Sequence, residues 1–216
     1  NSPRALDYEA KLAEDTGELT IVRIDRAEPN KNVIRGFRAY ELLLNRYPEF
    51  KGRVKFLAFL VPSRTHIRQY QRYMDEIQQV IQQINNNHRT PTWQPIVPFV
   101  ENNYTQAIAG MKIYDALLVN TIVEGMNLVA KEGPVVNNRN GVLVLSHSSG
   151  VHHQLADGSL SVSPTDVEGT MEALHQAITM STEDRKNKAE WLYASVCKED
   201  INHWLREQME DIAGIL

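Results

Sequence analysis

Val54-Lys55-Phe56-Leu57-Ala58-Phe59-Leu60-Val61-Pro62, VKFLAFLVP, carries a single charge, at Lys55. A strand with one wet face alternates apolar and polar residues. A run without that alternation fits a strand covered on both faces, as in a parallel sheet. Working outward, further apolar runs recur along the chain. LTIVRI (19–24) precedes it; PIVPFV (95–100), ALLVN (116–120), GVLVLS (141–146) and the short SLSVS (159–163) follow. Between them lie stretches with apolar residues at helical spacing. These are NVIRGFRAYELLLNRY (32–47), with Pro48 just past its end, the long polar IRQYQRYMDEIQQVIQQINN (67–86), and YTQAIAGMKIY (104–114). A helix is expected from about Leu128. Another, TDVEGTMEALHQAITM (165–180), is capped by Thr165 or Asp166, and two more run from Ser181, broken near CKEDIN (197–202). NNNHR (85–89) reads as a polar loop.

Strands alternating with helices predict an α/β fold with a doubly wound parallel sheet of about six strands. Right-handed crossovers place helices on both faces. Ligands in such sheets bind beyond the carboxyl ends of the strands. The chemistry-bearing residues are therefore expected there: Arg23, Asp25 and Lys31 after the first strand, Ser63 and Arg64 after the second, EGMNLVAKE (124–132) after ALLVN, and SHSSG (146–150) after GVLVLS.

Composition narrows the classes. The 216 residues suit one large domain or α/β unit, and the hydrophobic share of 42% supplies a sizeable core. A net charge of -4 does not recommend nucleic acid as a partner. One cysteine, Cys197, rules out a disulfide within the chain and a cysteine-based zinc site, and fits a cytoplasmic setting. No apolar run approaches the ~18 residues that span a bilayer. The polar start, NSPRALDYEAKLAEDTG, lacks the apolar core of a signal peptide. No HExxH, GxSxG or P-loop pattern occurs. Adjacent His152 and His153 point different ways, so no metal is expected, and Trp93, Trp191 and Trp204 are read as packing residues.

Two stretches carry possible site chemistry. In EGMNLVAKE, Gly125 allows close backbone approach or a positive φ. The helix beginning near Leu128 offers unpaired N–H groups and a positive dipole end to an anion or sugar. Glu132, one turn in, offers two acceptor oxygens suited to vicinal hydroxyls such as those of ribose. RIDRAEPNKN (23–32) clusters cations beyond a strand end, a fork plus a point charge for linked phosphates. On pattern alone each stretch also reads as ordinary, a capped helix start and a solvated charged loop.

Taken in order, Arg-x-Asp with a following Lys, PSR (62–64), WQP (93–95), DALLVN with EGMNLVAKE, GVLVLS and a terminal DINHW (200–204) resemble the trehalose-6-phosphate synthases, retaining glycosyltransferases of the GT-B fold. The resemblance runs from about Leu19 to the end. It implies a Rossmann-like C-terminal domain, the half that binds the nucleotide-sugar donor. Residues 1–216 then form one nucleotide-sugar-binding domain, about 19–200. A C-terminal helical segment, 201–216, would pack back on an N-terminal acceptor domain of the same polypeptide.

The resemblance also implies roles. Arg23 and Lys31 grip the diphosphate and stabilise it as leaving group. Gly125, Met126, Asn127 and Leu128 meet the donor sugar and phosphate through backbone N–H groups. Glu132 holds the ribose hydroxyls, Glu124 meets the sugar, and Arg64 binds the acceptor phosphate. The stretch Val100 to Asn102 lies at the base. The implied substrates are a nucleotide sugar such as UDP-glucose or GDP-glucose and a sugar phosphate, glucose 6-phosphate. No cofactor or metal is implied, and neither nucleic acid nor membrane is a partner. Homo-oligomerisation is left open. The isolated half is expected to be inactive.

Two departures stand out. Glu124 replaces the family's usual Asp. The usual Arg-x-Asp-x-x-Lys-Gly is expanded, so that Arg26 competes with Lys31 for the phosphate role. These keep two alternatives open: a related transferase with another phosphorylated acceptor (a glucosylglycerol-phosphate synthase or a pseudo-glycosyltransferase), and a non-catalytic regulatory domain.

Overall fold

The computed structural model describes residues 3–15 and 17–215. Strands β1 (Leu19–Arg26), β2 (Val54–Val61), β3 (Ile96–Phe99), β4 (Ala116–Val119), β5 (Val142–Ser146) and β6 (Leu160–Val162) form one six-stranded sheet. Its order is β3-β2-β1-β4-β5-β6 and every pairing is parallel. The chain winds outward from β1 in one direction, then returns to β4 and winds in the other. The crevice between β1 and β4 is therefore the switch point, where α/β sheets bind ligands.

VKFLAFLVP behaves as its composition demands. Phe56, Ala58 and Leu60 join the core on one face, and Leu57 and Phe59 the core on the other. The first core packs under α2 (Val33–Arg46), α3 (Arg68–His88) and α7 (Val167–Thr179). The second receives Leu12 of α1 (Pro3–Asp15), residues of α4 (Tyr104–Lys112) and α5 (Leu128–Val136), Leu155 of α6 (His152–Leu155) and Leu192 of α8 (Thr182–Lys198). Asp166, not Thr165, caps α7 by accepting from the Gly169 N–H at 2.8 Å.

Three expectations are corrected. The first strand runs two residues beyond Ile24, paired with β2 as far as Arg26↔Val61, so Asp25 lies within it as Arg23 does, and neither follows the strand. NNNHR is not a loop: α3 continues through His88. The reason is tertiary. The Asn85 side chain hydrogen-bonds both backbone groups of Ile96 at 2.9 Å, and His88 is buried. Of the tryptophans, Trp93 is buried, but Trp204 lies on the exposed helix α9 (Ile201–Ile215). No residue of α9 is buried, and its Trp204, Leu205, Met209 and Ile212 are all exposed.

Candidate functional site

The site grows from the last turns of β1 and β4. Arg23 has no exposed surface. Its Nε and Nη2 donate to Asp25 Oδ2 at 3.1 and 2.8 Å, Nη2 also to the Lys31 carbonyl at 2.8 Å and Asn120 Oδ1 at 3.1 Å, and Nη1 to the Val33 carbonyl at 3.2 Å. Gly36 makes the room: a Cβ there would strike the Arg23 guanidinium. An arginine expected to lie beyond the strand and grip a phosphate is thus enclosed. Its present partners are protein groups that shape the loop after β1.

That loop contains a one-turn 3-10 helix, Pro29–Lys31, followed by Asn32 at φ 58°. Asn tolerates this left-handed conformation better than most residues. Its Nδ2 donates to the carbonyls of Asn120 and Pro164 at 2.9 and 2.6 Å, fixing the turn against β4 and the β6–α7 loop. The Lys31 ammonium is thereby aimed into the crevice. It pairs with Glu124 and stands 3.8 Å from Asp25 Oδ1. Burial pushes the Asp25 carboxyl up while Arg23 and Lys31 pull it down. With two N–H donors on one oxygen, the ionised form is the one this geometry holds. Arg26, the rival cation, has a half-exposed side chain paired with Glu28 at 2.8 Å and does not join the cluster.

Glu124 bridges the two halves of the crevice. Besides Lys31, its Oε2 accepts from Asn127 Nδ2 at 2.8 Å. Asn127 caps α5 in turn, its Oδ1 accepting from the Ala130 N–H at 2.9 Å. Such a cap is worth roughly 1 kcal/mol. The N–H groups of Leu128 and Val129, in the first turn of α5, have no intrahelical acceptor by helix geometry. Gly125 does not adopt positive φ, and nothing lies within 4 Å of where its Cβ would be. Its freedom is open space, not backbone conformation. The close approach belongs to Gly150, whose added Cβ would sit 2.8 Å from the Gly125 carbonyl. SHSSG thus turns the chain beneath EGMN, and Gly150 N–H donates to the Glu124 carbonyl at 2.8 Å.

Glu132 lies on the outward side of α5. Tyr104, the first residue of α4, points its hydroxyl at Glu132 Oε1 at 3.5 Å. Burial raises the Glu132 carboxyl above the ordinary range, with Tyr104 pulling it partly back. Val100, Tyr104, Met126 and Leu128, on the segments that lead into α4 and α5, are exposed apolar or aromatic residues, and Asn102 is exposed as well. Arg64 lies apart, after β2, at φ 46°. It donates to the Tyr70 hydroxyl at 2.7 Å and stacks its guanidinium 5.2 Å from that ring.

The structure therefore brings together Lys31, Glu124, Gly125, Asn127 and the start of α5. Glu132 lies on α5 opposite Tyr104 of α4, and Asn102 is exposed in the loop after β3 that leads into α4. Arg23 lies under the cluster and Arg64 to one side. Asn32 and Gly150 lie at the ends of stretches the sequence singles out, RIDRAEPNKN and SHSSG, though without a role of their own, and the sequence gives no sign of the parts played by Asn120 and Tyr104. Among the described residues no cluster of metal-ligating side chains occurs, and no helix is long and apolar enough to cross a membrane.

The chain is similar to known proteins in sequence and in fold. A trehalose-6-phosphate synthase of Sodalis glossinidius is 32% identical over 211 residues, which is 95% of this chain and 44% of that protein. The structure of the trehalose-6-phosphate protein of E. coli bound with UDP-2-fluoro glucose superposes with a TM-score of 0.88 at 28% identity, over 97% of this chain and 46% of that one. The UDP-forming α,α-trehalose-phosphate synthase of Burkholderia xenovorans in complex with glucose-6-phosphate gives 0.88 at 28%, over 94% and 45%. The chain thus spans less than half the length of these relatives. The sequence profile of glycosyltransferase family 20 matches residues 6–214, and the chain belongs to that family.

Proposed function

We propose that this chain is the donor-binding half of a retaining glucosyltransferase that moves glucose from a nucleoside diphosphate glucose to glucose 6-phosphate, giving trehalose 6-phosphate and releasing the nucleoside diphosphate. The observation that carries the reading is the switch-point crevice itself. There a lysine, a helix start and two carboxylates converge at the mouth that the fold reserves for ligands. Relatives described as UDP-forming trehalose-phosphate synthases favour UDP-glucose as donor, and favour glucose 6-phosphate over glycerol 3-phosphate or a cyclitol phosphate as acceptor.

In this reading Lys31 and the N–H groups of Leu128 and Val129 hold the diphosphate. Positive charge there stabilises the leaving group as its charge develops. Arg23 is a positioning residue: by holding Asp25 and the Lys31 and Val33 carbonyls it fixes the loop that aims Lys31. Glu132 accepts the ribose hydroxyls and Glu124 those of the sugar. Gly125 and Met126 offer backbone to the sugar and phosphate, and Asn102 and Val100 flank the base. Arg64 takes the acceptor phosphate from the side. Cationic side chains supply the charge stabilisation, so the reading assigns no metal or cofactor. The exposed apolar stripe of α9 is where an N-terminal acceptor domain would pack, and we place the protein in the cytoplasm.

The test is a comparison of binding with turnover. The chain should bind UDP and UDP-glucose saturably by calorimetry. Supplied with UDP-glucose and glucose 6-phosphate, it should release no UDP, because most of the acceptor pocket lies elsewhere. Robust transfer by this chain alone, or absence of saturable donor binding, would contradict the proposal.

A further inference from the structure

The crevice is neutral before any ligand arrives. Arg23, Asp25, Lys31 and Glu124 carry two positive and two negative charges, and their side chains are 0%, 3%, 8% and 16% exposed. Lys31, the cation at the mouth, is already matched by Glu124. A diphosphate brings at least two negative charges to a place a carboxylate occupies. It can reach Lys31 only by displacing Glu124, and the displaced carboxylate then stands close to an anion in a partly dry site, where like charges repel strongly.

We infer that Glu124 is a specificity-determining residue that sets the site against the bare nucleoside diphosphate and in favour of the sugar-bearing donor. The inference rests on the reading of the crevice as a donor site. Displacement from Lys31 leaves Glu124 anchored by Asn127 at one oxygen, 2.8 Å away, with the other free. A donor carrying a sugar offers hydroxyl donors to that free oxygen and so compensates the lost ion pair. A bare nucleoside diphosphate offers none, and takes the full loss. After transfer the sugar is gone, Glu124 reclaims Lys31, and the spent nucleotide is expelled.

The two departures from the family pattern then have a single physical cause. Lys31 stands eight residues after Arg23 where the family pattern places it five after, carried on the extra 3-10 turn Pro29–Lys31. A carboxylate meeting it from the β4–α5 loop needs reach, and Glu extends about 1.5 Å further than Asp. The Lys31–Glu124 pair joins residues 93 apart in sequence, so neither change alone reveals the other.

The experiment is calorimetric titration of the chain with UDP and UDP-glucose, for wild type, Glu124→Gln, Glu124→Asp and Glu124→Gln in a Lys31→Met background. Gln keeps the shape and the amide contact to Asn127 but removes the competing charge. Glu124→Gln should bind UDP at least about fivefold more tightly than wild type, gain less for UDP-glucose, and so reduce the preference for the sugar-bearing ligand. Glu124→Asp should fall between. In the Lys31→Met background the Gln substitution should strengthen UDP binding by less than it does in wild type, since the ion pair is already gone and only the repulsion between the carboxylate and the diphosphate is relieved. Wild type that binds both ligands, with UDP affinity unchanged or weaker in Glu124→Gln, overturns this inference alone. Wild type that binds neither overturns the donor-site reading and the inference with it. Melting curves of each variant separate loss of fold from loss of site.

Discussion

Two buried aspartates sit at opposite ends of the sheet, each between two cations. Asp115, just before β4, accepts from Arg185 Nη2 at 2.9 Å, Arg139 Nη1 at 3.4 Å and the Thr20 N–H at 2.8 Å. Asp25, near the end of β1, lies between Arg23 and Lys31. The side-chain chemistry is nearly the same and the use is different. At the Asp115 end, Arg185 also donates to the carbonyls of Asn140 and Arg139, so the cluster ties α8 and the loop after α5 to the sheet. At the Asp25 end, Lys31 passes its charge on to a second carboxylate, and that carboxylate lies beside a helix start. A buried ion cluster holds the fold together when its cations end on backbone, and forms a binding site when one cation ends on a displaceable anion.

The comparison can be broken at either end, and the largest effect is expected at Asp115. Asp115→Ala leaves two arginines without their carboxylate and the Thr20 N–H without its acceptor. Removing one partner of a buried pair costs about 3 kcal/mol or more. Chemical denaturation should show that loss, with nucleotide affinity in the folded fraction unchanged. A variant as stable as wild type would mean that the Asp115 cluster is not a staple.

Next comes Lys31→Ala. A charge-assisted contact is worth on the order of 1.5–3 kcal/mol, so UDP and UDP-glucose should both bind roughly ten- to a hundredfold more weakly. Stability should fall by less than in Asp115→Ala, because Glu124 can turn toward solvent. A large stability loss with affinity intact would make the two ends of the sheet alike.

Glu132 sharpens the comparison through pH. Its folded-state pKa is raised by burial. The stability this group contributes is therefore fully present below its unfolded-state pKa and lost as pH rises through the folded value, leaving a penalty at neutral pH. Glu132→Gln should melt at the same temperature as wild type or higher at pH 7, with the advantage fading toward pH 4. The same variant should bind UDP more weakly. Melting temperatures across that range check the first claim and titration the second. A residue that costs stability yet holds ligand belongs to the site, and a stability loss at pH 7 would assign it to the scaffold.

The smallest effect is expected on α9. Leu205→Ser or Met209→Ser should change the stability of this chain by no more than about 0.5 kcal/mol, since both side chains are exposed. A larger loss would show that α9 packs on this domain and is not a free face.

How much of this was legible in sequence follows from range. The strands and most helices were readable because each reports on its own neighbours: VKFLAFLVP on two covered faces, Asp166 on a helix start. EGMNLVAKE showed the crevice for the same reason, with cap, glycine and carboxylate in one stretch. The extension of α3 through His88 was not readable, because Asn85 holds it by bonding Ile96 across a loop. Helix α1 went unread, although Ala5, Tyr8 and Leu12 carry helical spacing. The burial of Arg23 was not readable, because it depends on Gly36 and Asn120, far along the chain. The Lys31–Glu124 pair was hidden most deeply, since each partner alone reads as an ordinary charged loop residue.

The central claim is that the β1–β4 crevice is a nucleotide-sugar site held from two sides, by Lys31 and by Glu132. Its most direct test is one calorimetric series: UDP-glucose titrated into wild type and into the double variant Lys31→Ala, Glu132→Ala. The account predicts one saturable site in wild type, an affinity lowered at least a hundredfold in the double variant, and a melting temperature close to that of wild type. Equal affinities in the two proteins would contradict it.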